Sequence, residues 1–322
     1  MFPGLTASAV VAGVSVFLGK SVPLVGAPVF AIVIGVGVAW LRPLPAALEA
    51  GTSFASKTLL QSSIVLLGAT LGVEQIVRGS AAALPVMLGT FVIVLGLAYV
   101  CGRMLGLDRD LRRLLAIGTG ICGGSAIAAL SSVIDVDASD VAYALGTVFF
   151  FNVVAVLTFP AVGHALSLSQ SAFGQWAGTA INDTSSVVAA AFAYGPDAGN
   201  AGVVVKLTRT LLIVPIVLFY AWKRLTTHRA QERPIQWLSL FPWFILWFVA
   251  AAAAKSGGIV PASWQGAIQA VAFVAIVVAL AGVGLGTDAR RMREAGLRPL
   301  ALGAILWIAI SAGSLAIAHV IR

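Results

Sequence analysis

GTAINDTSSVVAAA, Gly178–Ala191, places five polar residues side by side: Asn182, Asp183, Thr184, Ser185 and Ser186. The flanks on either side are apolar, and Asp183 is the only acid deep inside an apolar run. The chain around it has 322 residues, 60% hydrophobic and only 10% charged, with a mean hydropathy of +1.01. Soluble domains carry roughly 25% charged residues, and no soluble core of this size needs so much apolar surface. The chain therefore reads as an all-α polytopic membrane protein. In that setting a carboxylate at mid-span costs at least about 2.5–3.5 kcal/mol on insertion, which makes the polar knot a functional candidate.

The net charge of +8 does not indicate nucleic acid, because the basic residues fall in short loops between apolar runs, where they signal topology. Cys101 and Cys122 are too few for a disulfide framework. With His164, His228 and His319 scattered, no zinc spacing appears either. No resident cofactor is expected, with Na⁺ or H⁺ as coupling-ion alternatives. The first twenty residues lack a basic leader region, so the first helix is expected to stay.

Eleven apolar runs are long enough to span, near 5–19, 24–41, 58–73, 81–102, 113–134, 141–163, 172–195, 202–222, 236–254, 265–286 and 298–320. The first is the shortest, so the count is 10 or 11. With the N-terminus inside, 14 of the 20 Lys and Arg fall in inside loops. These include Arg42 and Lys57, Arg103 to Arg113, Lys223 to Arg233, and Arg290 to Arg298. The acidic loop Asp135–Asp140 then falls outside, and the chain is N-in and C-out.

Two internal similarities stand out. Leu66–Gly89 resembles Leu280–Gly303 at an offset of 214, pairing Gly68 with Gly282, Glu74 with Asp288, and Pro85 with Pro299. The expected directions of these helix pairs are opposed, which is the inverted repeat of secondary transporters. The second similarity joins GTGICGGSAIAALSS, Gly118–Ser132, to the polar knot at an offset of 60: Gly118 with Gly178, Thr119 with Thr179, Ile121 with Ile181, and Ser125 with Ser185. Glycine lets a backbone leave helical geometry. An unwound segment offers carbonyls to a cation and a half-helix N-terminus to an anion. Both stretches thus read as discontinuous helices facing each other. Close packing through small residues is the alternative. On the spans above the two run in the same direction, which an inverted pair should not do.

Thr119, Cys122, Gly123, Gly124 and Ser125 on one stretch, and Asn182, Asp183, Thr184 and Ser185 on the other, form the expected substrate and ion site. Asp183 could bind Na⁺ together with Asn182, or carry a proton; a purely structural hydrogen-bond network is the alternative. Lys206 and Arg209, three apart on one helix face toward the outer end of their span, suit an anionic solute. They could instead neutralise Asp183 or snorkel to the interface. Asn152, in FFFNVV, is a further mid-span polar candidate.

The segments GTGICGGSAIAA (Gly118–Ala129), WAGTAINDTSSVVAAA (Trp176–Ala191), VVKLTR (Val204–Arg209) and GLGTDARRMREAGLRPL (Gly284–Leu300) together resemble the YeiH-type membrane proteins, a family labelled as sulfate exporters. The resemblance covers most of the chain. It implies kinship with cation/proton antiporters and bile acid:sodium symporters, hence interleaved scaffold and core parts within a single domain, 1–322. It also implies two crossing broken helices, a bacterial inner-membrane location and a homodimer. Many members look to have His where this chain has Asn182. The expected function is secondary active transport of a small anion, such as sulfate, a sulfonate or a small organic acid. A cation/proton antiporter using Asp183 is the alternative. No Ser/His/Asp or metal constellation suggests an enzyme, and no soluble domain suggests a receptor.

Overall fold

The computed structural model describes residues 1–22, 25–41, 44–226, 242–287 and 296–321. Arg42, Arg229, Arg233, Asp288, Arg290, Arg291 and Arg293, used above to orient the chain or to pair the repeats, lie outside them, as does His228. All regular structure among the described residues is helical. The helices are α1 (Phe2–Ser21), α2 (Gly26–Leu41), α3 (Ala46–Phe54), α4 (Leu60–Gly68), α5 (Val73–Met104), α6 (Arg109–Gly120), α7 (Gly124–Ser131), α8 (Ala138–Ala165), α9 (Gln170–Ala180), α10 (Thr184–Tyr194), α11 (Pro196–Thr210), α12 (Ile213–Thr226), α13 (Phe244–Ser256), α14 (Gln265–Leu285) and α15 (Leu297–Ile321). A π-helical turn, Ala55–Leu59, welds α3 to α4.

Six segments are long and apolar enough to cross a membrane: α1, α5, α8, the joined α11–α12, α14 with its leading turn, and α15. The shorter α2 and α13 and the welded α3–α4 complete nine columns among the described residues. Large apolar side chains such as Phe17, Val92, Trp247 and Ile308 remain exposed on their outer faces. An apolar rim of this kind is stable when its solvent is hydrocarbon.

The two broken stretches do not cross the bundle. Each turns back on itself as a re-entrant hairpin. In the second, Tyr194 at the end of α10 stacks on Phe173 near the start of α9, with ring centroids 3.9 Å apart. Its hydroxyl donates to the Leu168 carbonyl at 2.5 Å, and Gln170 Oε1 accepts from the Asp197 backbone N–H at 2.9 Å. Two half-helices running on in line would separate these residues by roughly 30 Å at 1.5 Å per residue. In the first, a Cβ added at Gly118 would lie 2.8 Å from the Ile127 side chain. Both α6 and α7 pack in one hydrophobic cluster with Val217 and Ala221 of α12.

This corrects the span count and the crossing-helix expectation. It also moves the acidic loop: Asp140 lies within electrostatic reach of Asp108 and Asp110, so Asp135–Asp140 shares an end with the α5–α6 loop and the arginines that flank it. That end, the basic end, also holds a cavity of about 520 Å³ lined by Arg103, Arg109, Arg112 and Arg113.

Helix α8, 28 residues or about 42 Å long, runs from the mouth of the first hairpin to the mouth of the second. The hairpins therefore enter from opposite ends, which resolves the direction conflict at the offset of 60: with one full crossing between them, the pair is inverted. The offset of 214 also fits an inversion. The α4–α5 turn lies at the far end, where Ser256 Oγ accepts from the Val73 N–H at 2.9 Å. The start of α15 lies at the basic end, where the Arg298 side chain is 3.8 Å from a Cβ added at Gly106. The matched helices also pack in pairs, α4 on α14 and α5 on α15.

Candidate functional site

The hairpin tips meet at half the length of α8. A Cβ added at Gly123 would stand 3.3 Å from Val148 of α8, 3.5 Å from the Asn182 carbonyl oxygen and 3.5 Å from the Asp183 Cβ. Gly123 has φ +68 and ψ −128, a conformation open in practice only to glycine, and this turns α6 back into α7. The second tip is extended: Ile181 has φ −80 and ψ 134, and Asp183 has φ −103 and ψ 147. Neither Gly118 nor Gly178 sits in a break. Gly178 is helical and lets α9 lie against α11, where an added Cβ would be 2.8 Å from the Gly202 carbonyl oxygen. Close packing is thus what these two glycines provide.

Breaking a helix inside a membrane leaves the last carbonyls of α6 and α9 without intrahelical partners. Lys206 and Arg209 of α11, 0% and 1% exposed, supply the donors. The Lys206 Nζ donates to the Ile121 and Ile181 carbonyls at 2.9 Å each and to the Asn182 carbonyl. The Arg209 guanidinium donates through Nε to Gly120 at 2.8 Å, through Nη2 to Thr119 at 2.5 Å and through Nη1 to Thr179. The repeat is visible in this pattern. Thr119 and Thr179 share Arg209, while Ile121 and Ile181 share Lys206. Both cations lie near the middle of the 28-residue α11–α12 crossing, not toward its outer end. Neither forms a salt bridge with a carboxylate; among the described residues those are Arg78–Glu74 and Arg113–Asp110.

The starts of the returning half-helices differ. Asp183 caps α10: its Oδ2 accepts from the Ser186 N–H at 3.1 Å, the Ser186 hydroxyl at 3.2 Å and the Ser185 hydroxyl. Helix α7 starts at Gly123 with no side-chain cap. Its first N–H groups, those of Gly124 and Ser125 included, have no intrahelical acceptor. Ser125 is exposed, Gly124 and Thr184 are half-buried, and Cys122 is a buried free thiol.

Facing these tips are polar atoms without partners. Asn152 is 3% exposed, and neither its Oδ1 nor its Nδ2 has a hydrogen bond. It lies one turn from Val148, which touches the first hairpin, and one turn from Val156, which shares a core cluster with Val188 and Ala189 of α10. At a spacing of four, the three residues share one face. The Asn182 Oδ1 is likewise unpartnered. Buried amides are nearly always hydrogen-bonded, so each such group needs an explanation. Thr147 Oγ1 and the Trp307 Nε1 are also without partners. The sequence reading passed over both; a Thr inside the apolar run LGTVFF was the available signal for the first.

A carboxylate, two buried cations and two half-helix pairs leave a simple charge balance. Each helix end carries about half an elementary charge. Lys206 and Arg209 exceed the two negative C-termini, and Asp183 offsets the start of α10. Net positive potential remains, with the uncapped start of α7 as its exposed focus.

Nine apolar columns around two buried polar hairpins define a multi-pass membrane protein. The chain belongs to the family described as conserved hypothetical protein 698, whose model matches residues 3–303; the YeiH-type proteins are this same family. It is 39% identical over 321 residues to a UPF0324 membrane protein of Clostridium tetani, covering 94% of this chain and 92% of the relative. It is 41% identical over 317 residues to a UPF0324 membrane protein of Streptococcus pneumoniae, covering 95% and 93%. A Fusobacterium nucleatum UPF0324 membrane protein is 35% identical over 324 residues, covering 94% and 93%. No solved structure matches the chain.

Proposed function

We propose that the protein is a secondary transporter of a small anion, such as sulfate, a sulfonate or a small organic acid, working by alternating access in the bacterial inner membrane with its basic end in the cytoplasm. The observation that carries this reading is the uncapped N-terminus of α7, placed at mid-bundle beside the unpartnered Asn152 amide and the unpartnered Oδ1 of Asn182. Helix N-termini bind anions through free N–H groups and the helix dipole. Here the Gly124 and Ser125 N–H groups, the Ser125 hydroxyl and the two amides form the solute site. Lys206 and Arg209 contribute charge from behind. The protein is read as a carrier and not as an enzyme, and the dimer implied by the family resemblance is checked by the mass of the protein–detergent complex.

The test is thermal unfolding of the purified protein titrated with sulfate, sulfite, taurine and small carboxylates, since a ligand of the native state raises the melting point by mass action. One anion raises it in the wild type and fails to do so in Asn152→Leu. Absence of a shift with every anion sinks the reading. Asp183 is half-buried, not sealed, which keeps a cation/proton antiporter as the second reading. A shift driven by pH or Na⁺ alone, lost in Asp183→Asn, selects it.

A further inference from the structure

Six backbone carbonyls converge at the hairpin tips, three on an ammonium and three on a guanidinium. A trio of carbonyls at the C-terminal ends of broken helices is the environment in which membrane carriers hold a coupling metal cation. In this chain both trios are filled by side chains of α11. Lys206 has three donors and three acceptors, so its cage is complete. Beside the cages, Asp183 Oδ2 is taken up by the cap of α10, while the Asn182 Oδ1 has no partner and is a single oxygen, short of the several that a metal cation needs.

We infer that Lys206 and Arg209 are tethered replacements for coupling cations, permanently occupying two carbonyl cages, so that the protein binds and moves its solute without Na⁺. The part concerning movement rests on the transporter reading; the part concerning the cages does not. Lys206 and Arg209 are then positioning residues. They hold the two tips in register and supply the fixed positive charge that a dissociable cation would otherwise bring. A tethered cation cannot be released to one side of the membrane, so it stores no energy from a sodium gradient.

The experiment has two arms. In the first, the melting point of the wild-type protein is recorded in sodium, potassium and choline chloride at equal ionic strength, with no solute added. The expected result is the same melting point in all three; a sodium-specific rise overturns the proposal. In the second, Lys206→Ala is extracted and purified in sodium, methylammonium or choline chloride, and the monodisperse folded fraction and melting point are measured. Sodium or methylammonium should enter the vacated cage and restore folded protein that choline, too large to enter, does not. Equal recovery in the three salts, including equally poor recovery, overturns the assignment of the carbonyl trio as a cation cage. Both arms hold chloride constant and add no candidate solute, so a failure here is distinct from a failure of the anion reading. Where that reading holds, solute uptake into proteoliposomes proceeds at an unchanged rate when choline replaces sodium; a loss of uptake in choline overturns the sodium-free mechanism.

Discussion

The two re-entrant hairpins are built from one template and differ at the point where each returning helix begins. Both carry Gly-Thr within the last helical turn of the first arm, both hand their last carbonyls to α11, and both place a serine in the first turn of the second arm. At the tip, Asp183 in one is matched by Gly123 in the other. Asp183 folds its carboxylate over its own helix start and satisfies it. Gly123 makes the turn and leaves the following N–H groups open. One hairpin is thereby closed electrically and the other left incomplete. Pseudo-symmetry builds the site, and the departure from symmetry gives it a polarity.

The comparison can be broken at several points. The largest effect is expected from Arg209→Ala, which strips donors from the Thr119, Gly120 and Thr179 carbonyls together. At about 1–3 kcal/mol per buried unsatisfied group, roughly 3 kcal/mol or more is lost. The measurement is the folded fraction after detergent extraction, and a normal yield with an unchanged melting point would refute the role assigned to Arg209. Gly123→Ala comes next. A side chain at φ +68, ψ −128 costs of order 1–3 kcal/mol, so a lower melting point and loss of the anion-induced shift are expected together.

Asp183→Ala removes an N-cap and should cost about 1 kcal/mol, while anion binding at the other tip survives. Loss of all anion response with little change in stability would reverse the roles assigned to the two tips. The smallest effect on stability is expected from Asn152→Leu. It deletes an amide with no partner to lose and should change stability by less than about 1 kcal/mol in either direction, yet abolish the anion response. A large destabilisation would show that Asn152 is structural.

Much of this was legible in the sequence, for identifiable reasons. The apolar runs, the two interruptions, and the polar residues Asn152, Asn182, Asp183, Lys206 and Arg209 are all local signals. The turning back of each interrupted stretch was not. A broken helix that continues and one that reverses have the same hydropathy profile, and only contacts such as Phe173 with Tyr194, or Gly118 with Ile127, separate them. Misreading the hairpins as crossings misplaced Asp135–Asp140 and made the offset of 60 look inconsistent. The partners of Lys206 and Arg209 were hidden for a different reason. Sequence patterns report side chains, whereas these two cations bind main-chain oxygens, which every residue carries. The family resemblance pointed to the same two stretches but implied crossing helices, so it carried the same error.

The shared carbonyl contacts also limit what can move. Lys206 and Arg209 each pin an equivalent atom of both hairpins to a single helix, so sliding either hairpin along α11 would expose several buried polar groups at once. The pair of hairpins and α11 are thereby tied into one block. Elsewhere the block rests on α2 and α14 through apolar contacts of α10, and the backbone of Gly26 passes close to Ala193. A carrier built this way would shift its whole binding block against a fixed wall, and the solute would ride with the block.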